Sequence, residues 1–267
     1  MAISVKNFEK RFKKIFGDEI WDDFIEYKRN NNHTEIFDSL QEVVTQLIAY
    51  SNKYDGVSNF YEQNKPFTRF VLISIERAFR PHSRSIKFNK KQALKKGNFN
   101  RVWEIEHIFP SRGSNSFNEI IKVPKKTNSC PKKDTNNNKL IIQITSNSIC
   151  NLTLISRKLN GKEEYKKADF QKKKDIMNSP KYKEKDFYIN RIFKNQSAKS
   201  SKDYFRLLLY RQLKLKVSFN RVFKPNKFGI PIIFFKEVLK YSEGNIKSTF
   251  HITHPIRKWC RKRRRIK

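Results

Sequence analysis

The residues best suited to chemistry stand in two short stretches, "WEIEHIFP" at 103–110 and "NLTLISRKLN" at 151–160. The first sets a carboxylate, Glu106, directly before an imidazole, His107, and closes with Pro110. An imidazole with an ordinary pKa of about 6.5 can take a proton at neutral pH. A carboxylate is a hard oxygen ligand of the kind Mg²⁺ and Mn²⁺ prefer. Proton transfer beside a hard cation is therefore the chemistry open to such a pair. Neighbouring side chains on a strand leave opposite faces, so Glu106 and His107 diverge if the strand runs on. Pro110 suggests that it stops, and that a turn lets both converge. The pair alone is weak evidence for a site. Asn151 by itself reads as a turn residue capping a strand, and Asn160 as a helix N-cap.

Positioning these residues requires ordered elements on either side. Phe8, Phe12, Ile15, Phe16, Ile20, Trp21, Phe24 and Ile25 recur at helical spacing over 5–29, with a break expected at Gly17. A second helix fits 35–53. A third fits "PFTRFVLISIERAFR" from 66 to 80, with Pro66 near its start. These read as three packed helices, with Arg69, Arg77 and Arg80 near phosphates as the alternative. Residues 82–101 read as a linker or basic loop, followed by a short strand ending at "IEHIFP". The polar stretch 111–139 reads as a functional loop or a disordered insertion. "NLTLIS" at 151–156 alternates like a strand. A helix is expected from Leu159 through the charged run to Met177, with further helices near 203–217 and 231–241.

Charge narrows the partner. The 267 residues carry 59 Lys/Arg against 25 Asp/Glu, a formal net charge of +34, which points to a polyanion, nucleic acid before anionic membrane. Residues 1–50 hold 7 Lys/Arg and 9 Asp/Glu, a net of −2, so the other residues carry +36 and the first helices are poor candidates for the binding face. The stretch "RKWCRKRRRIK" (Arg257, Lys258, Arg261, Lys262, Arg263, Arg264, Arg265 and Lys267, with Trp259) suits phosphate contacts plus stacking. Read blandly, it is a solvated cationic tail. Cys130, Cys150 and Cys260 are too scattered for a C-x-x-C zinc site or a disulfide framework. His251 and His254 lack nearby acids and read as tail or surface residues, and His33 and His82 have no legible partners. No apolar run approaches a membrane span and no signal peptide is read at the N-terminus, so the expected location is a prokaryotic cytoplasm, away from membranes.

Taken in order, Glu106–His107–Pro110, Asn151 in "NLTLIS" and Asn160 in "KLNGK" resemble the ββα-metal fold of HNH endonucleases. The nine-residue step from Asn151 to Asn160 resembles that in the HNH domain of RNA-guided CRISPR effector nucleases. A closer resemblance is to the C-terminal HNH domain of GmrSD-type restriction proteins, whose pattern is "EHI-x-P", then "GNLTLL...LN", then "F-x-x-K". Here these read "EHIFP", "CNLTLISRKLN" and Phe170 with Lys173. The likeness covers about residues 66–180. Cys150 stands where that pattern usually has glycine, which puts the backbone of that turn in question. No ParB-like NTPase domain or glycine-rich phosphate loop is read, and the whole sequence has only 7 glycines. NTP-driven activity would therefore place the nucleotide site on another polypeptide.

Read with the helical spacing of the flanking segments, the resemblance gives an expected α+β, mainly helical chain: a helical region over 1–98, an HNH ββα-metal core over 99–180 and a helical basic region with a cationic tail over 181–267. It implies a metal-dependent endonuclease acting on DNA in restriction-like defence or a mobile element. Glu106 and Asn160 would hold Mg²⁺ or Mn²⁺, and His107 would be the general base. Asn151 would orient the imidazole or brace the metal loop, and Lys173 would contact a phosphate. A separate NTPase or specificity subunit and a homodimer are the further partners expected. An RNA nuclease and a non-catalytic binder on the same scaffold remain alternatives.

Overall fold

The computed structural model describes residues 4–57, 59–79, 88, 91–93, 99–109, 118–124, 139–191 and 201–223, with backbone alone at 91–93, 99–101, 118–124, 139–143, 183, 185 and 201–202. Helices α1 (Val5–Phe16), α2 (Asp18–Asn32), α3 (Leu40–Ser51), α4 (Phe60–Gln63) and α5 (Lys65–Phe79) come first. Strands β1 (Lys91–Ala93), β2 (Phe99–Arg101), β3 (Trp103–His107), β4 (Asn118–Pro124), β5 (Lys139–Thr145) and β6 (Leu152–Ser156) follow. Helices α6 (Arg157–Asn160), α7 (Glu163–Lys166), α8 (Phe170–Asn178) and α9 (Ser201–Phe223) complete the described elements. The chain is thus α+β and mainly helical, and its described strands form three antiparallel pairs, β1–β2, β3–β6 and β4–β5.

Two compact units emerge, and both are discontinuous in sequence. One comprises Met1–Gly56, Arg69–Arg101 and Lys216–Lys267; the other comprises Val57–Thr68 and Val102–Leu215. The second unit is therefore wider than the expected core of 99–180.

The first unit is built on aromatic periodicity. Phe8, Phe12 and Phe16 repeat every four residues along α1 and are fully buried. Phe12 meets Phe8, Phe16, Trp21, Phe24 and Phe70 at ring-centroid distances from 4.6 to 6.1 Å. The expected break falls at Gly17, whose φ of 108° is open to glycine at little cost. Ser4 and Ser39 cap α1 and α3 by accepting from the backbone N–H groups of Asn7 and Glu42. Arg69 and Arg77 are buried: Arg69 donates to the Phe88 carbonyl at 2.9 Å, and Arg77 lies 5.2 Å over the Phe88 ring. Packing inside the unit therefore displaces the phosphate reading for these two arginines.

Two further expectations change. The presumed linker over 82–101 contains the β1–β2 pair, and the presumed loop over 111–139 contains β4 and the start of β5. The single helix expected from Leu159 is three short ones, because Ser156 and Asp169 each cap a new start. Pro110, Arg80, His82, Cys130, Cys260, His251, His254, the helix expected at 231–241 and the basic stretch Arg257, Lys258, Arg261, Lys262, Arg263, Arg264 and Arg265 lie outside the described residues. Among the described residues, no helix is long and apolar enough to cross a membrane.

Candidate active site

In the second unit β3 and β6 run antiparallel, with Glu106 opposite Thr153 and His107 opposite Leu152. The strand continues through His107, so the expected turn does not separate it from Glu106 and the two side chains leave on opposite faces. The chain then folds back at Ile108 and Phe109. Ile108 N–H donates to the Asn151 carbonyl at 2.8 Å, and Phe109 N–H to Asn151 Oδ1 at 2.7 Å. Asn151 Nδ2 donates in return to the carbonyls of Phe109 at 3.0 Å and Ser146 at 2.7 Å. Asn151 is fully buried, and its side-chain bonds run to backbone rather than to the imidazole. Of the two roles open to it, bracing the loop is the one these bonds perform.

Arg211 of α9 steadies the same loop from behind. It is fully buried and donates to the carbonyls of Cys150 at 2.6 Å, Ile149 at 3.0 Å and Ile189 at 3.0 Å. Cys150 itself packs with Ile108, Phe109, Ile144, Phe170 and Phe205. Its φ is not positive, so the turn does not need the glycine usual there. Burial pushes its thiol up to about 12, which keeps it un-ionised.

The His107 face is polar and reaches outside the strand pair. His107 Nε2 lies 2.9 Å from Asn147 Oδ1. Asn147 Nδ2 donates to Glu62 Oε1 at 2.8 Å, and Asn59 Nδ2 donates to Glu62 Oε2 at 2.6 Å. The Tyr61 ring stands 4.4 Å from the imidazole, tilted by 60°. Burial lowers the His107 pKa, opposed by the Asn147 hydrogen bond and the Glu106 charge and reinforced by the Lys173 ammonium. A neutral imidazole at neutral pH is what a proton acceptor requires.

The Glu106 face holds an internal ion pair. Asp169 caps α8, which turns Phe170 and Lys173 inward. Lys173 is 4% exposed, and its Nζ donates to Glu106 Oε1 at 2.6 Å and to the His107 carbonyl at 3.1 Å. Lys173, expected at a phosphate, is here seated on Glu106. Asn160 meets a different acid: its Nδ2 donates to Glu104 Oε2 at 2.7 Å, with Arg157 3.9 Å from Glu104 Oε1. The structure thus joins Glu106 to Lys173 and Asn160 to Glu104.

Among the described residues, no three His, Cys, Asp or Glu side chains converge as a metal cluster. Hard oxygen donors are present on this face, each already paired, Glu106 with Lys173 and Glu104 with Asn160. Glu104 and Glu106 share a face two residues apart, about 7 Å along the strand, and Asn160 stands at the Glu104 end. Mg²⁺ is commonly held by one or two carboxylates with water completing its shell.

Asn147, Glu62, Tyr61 and Glu104 escaped the sequence reading. Glu104 had a legible signal, since a residue two before Glu106 on a strand shares its face. Asn147 and Glu62 had none: 85 residues separate them, and only the folded chain brings them together.

Neither a curated protein nor a solved structure matched the chain. A family model, that of the C-terminal domain of GmrSD restriction endonucleases, matches residues 50–212. That span takes in Glu62, the β3–β6 pair, Asn147, Asn160, Lys173 and Arg211, so the residues that build the site are residues of the matched domain. The chain belongs to the family of the GmrSD restriction endonuclease C-terminal domain.

Proposed function

We propose that the chain is a metal-dependent HNH endonuclease that hydrolyses DNA phosphodiester bonds in a restriction-type defence, on a ββα-metal core formed by β3, β6 and the helices after it. One observation carries this reading: within the span matched by the restriction endonuclease domain, an imidazole held through a single nitrogen ends a strand that also bears hard oxygen donors. With Nε2–H donating to Asn147, Nδ1 keeps its lone pair and can take a proton from water. Glu106 and Asn160, with Glu104 beside Asn160, would hold Mg²⁺ or Mn²⁺, which supplies positive charge to the phosphate and the departing oxygen.

Each face of β3 has a separate task. The Asn151 clamp fixes the chain just past His107, so the imidazole has little freedom to swing. Lys173 offsets the Glu106 charge through Oε1, leaving Oε2 as that residue's second donor. DNA held by phosphate contacts at a +34 chain should bind with steep salt dependence.

Plasmid cleavage by wild type and His107→Ala, with Mg²⁺, with Mn²⁺ and with EDTA, tests the proposal. Nicked or linear product is expected only from wild type with metal. Cleavage retained by His107→Ala removes the histidine from the mechanism. The second reading, a binding scaffold without catalysis, is favoured by the Lys173 ammonium already seated on Glu106. It predicts salt-sensitive DNA binding indifferent to both EDTA and His107→Ala.

A further inference from the structure

We infer that Asn147 and Glu62 are positioning residues that fix the orientation and tautomer of His107, an inference that rests on the reading of His107 as general base. The argument runs through donor and acceptor identities. A carboxylate only accepts, so Glu62 Oε1, 2.8 Å from the Asn147 amide, takes a hydrogen from Nδ2. That sets which way the amide faces: Oδ1, which also only accepts, is turned toward the imidazole. The neutral imidazole then carries its hydrogen on Nε2, and Nδ1 is left as the basic atom. Glu62 therefore sets the Asn147 amide, and the amide sets the histidine.

The support beneath this relay is built rather than incidental. Asn59 caps α4 by accepting from the Glu62 backbone N–H at 3.0 Å, while its own Nδ2 holds Glu62 Oε2 at 2.6 Å. The backbone of the Asn147 turn is tied to the same helix, with Phe60 N–H donating to the Asn147 carbonyl at 3.1 Å. Ser148 closes the turn, its Oγ accepting from Thr145 N–H at 2.9 Å. Tyr61, next to Glu62, flanks the imidazole, and Lys65 lies 4.5 Å over the Tyr61 ring. Helix α4, far from the motif in sequence, thus supplies both the last acceptor of the relay and the ring beside His107.

Steady-state cleavage with Mg²⁺ by wild type, His107→Ala, Asn147→Ala, Asn147→Asp and the double variant Glu62→Gln/Asn147→Asp tests this. Asn147→Ala is expected to lower kcat by about 10- to 100-fold at unchanged KM, the scale of a misaligned catalytic group. Asn147→Asp faces Glu62 with like charge and should be impaired. The double variant should recover, because the glutamine amide that replaces Glu62 can donate to the new carboxylate while its oxygen accepts from Asn59. That recovery excludes simple misfolding. In protein carrying ¹⁵N-labelled histidine, a slowly exchanging Nε2–H of His107, identified by its loss in His107→Ala, should vanish in Asn147→Ala. Wild-type kcat in Asn147→Ala, no recovery in the double variant, or a protected hydrogen on Nδ1 overturns the inference while leaving the nuclease reading standing. Equal cleavage by wild type and His107→Ala overturns the nuclease reading instead.

Discussion

The aromatic cluster around Phe12 and the polar lattice around Asn151 hold their surroundings together by different physics. Phe12 contacts five other rings, and no single contact requires a given atom at a given place. Asn151 makes three side-chain hydrogen bonds while fully buried, and each depends on which atom is donor and which is acceptor. Apolar packing tolerates a change of shape at moderate cost, whereas a buried polar group left without its partner loses its whole desolvation energy. Both units bury polar side chains, among them Lys28, Arg69, Glu76 and Arg77 in the first and Thr153, Lys173, Glu184, Asn190 and Arg211 in the second. The candidate chemistry adjoins the directional lattice, where Asn151 holds the chain just past His107. Such a lattice fixes atoms rather than volumes, which is what a reacting group needs.

The largest test of this contrast is Lys173→Met. Methionine fills similar space, yet Glu106 is left with its charge and without its ammonium, and breaking a buried pair in this way costs about 3–5 kcal/mol. Denaturant unfolding should show that loss, and Glu106→Gln/Lys173→Met should regain most of it. A single variant as stable as wild type would break the contrast. Next in size is a pair of conservative changes. Asn151→Asp keeps the shape but removes two donors and sets a buried carboxyl against the Phe109 and Ser146 carbonyls, and should cost about 3 kcal/mol. Phe12→Leu removes a whole ring yet should cost about 1–2 kcal/mol, because neighbouring side chains can close around it. The reverse order in thermal unfolding would show that directionality is not what distinguishes the two clusters.

The smallest effect is set by pH. The folded-state pKa of His107 is lowered, chiefly by burial, so between that value and the ordinary value of about 6.5 the unfolded chain binds more protons than the folded one. Stability therefore rises with pH across this window, and is lost as pH falls through about 6.5 toward the folded value. The matching increment should be missing from the stability profile of His107→Ala. An unchanged profile in that variant would mean that the imidazole titrates alike in both states.

The same contrast explains what was legible in the sequence. Phe8, Phe12 and Phe16 at fourfold spacing and the glycine after them predict α1 and its break, because helical packing leaves a periodic trace. "WEIEH" and "NLTLIS" predict the two strands that pair as β3 and β6. Glu106, His107, Asn151, Asn160 and Lys173 all fall in the unit of that strand pair. Their partners were not legible. Nothing at position 106 announces Lys173, nor does Asn160 announce Glu104, because a buried ion pair or amide bond leaves no period along the chain. The β1–β2 and β4–β5 strands were hidden for a different reason. β1 and β2 are three residues each, too short to show the alternation of a half-buried strand, and β4 is broken by Lys122, whereas β5 carries a strand signal in Leu140, Ile141, Ile142 and Ile144 that borders the polar stretch.

The β4–β5 hairpin is inserted between the two strands of the site, and this sets the order of events during synthesis. His107 must wait for Asn147, 40 residues later, and Glu106 for Lys173, 67 residues later. Closing segments of that length is slow relative to forming local helices. As the chain leaves a ribosome, α1 to α3 can assemble early, while the imidazole and its neighbouring carboxylate emerge without the groups that orient and offset them. A chain cut short before Asn147 lacks the relay altogether, and one cut short before Lys173 leaves Glu106 uncompensated. The reactive residues are translated well before the site is complete, so incomplete chains carry the motif without the geometry.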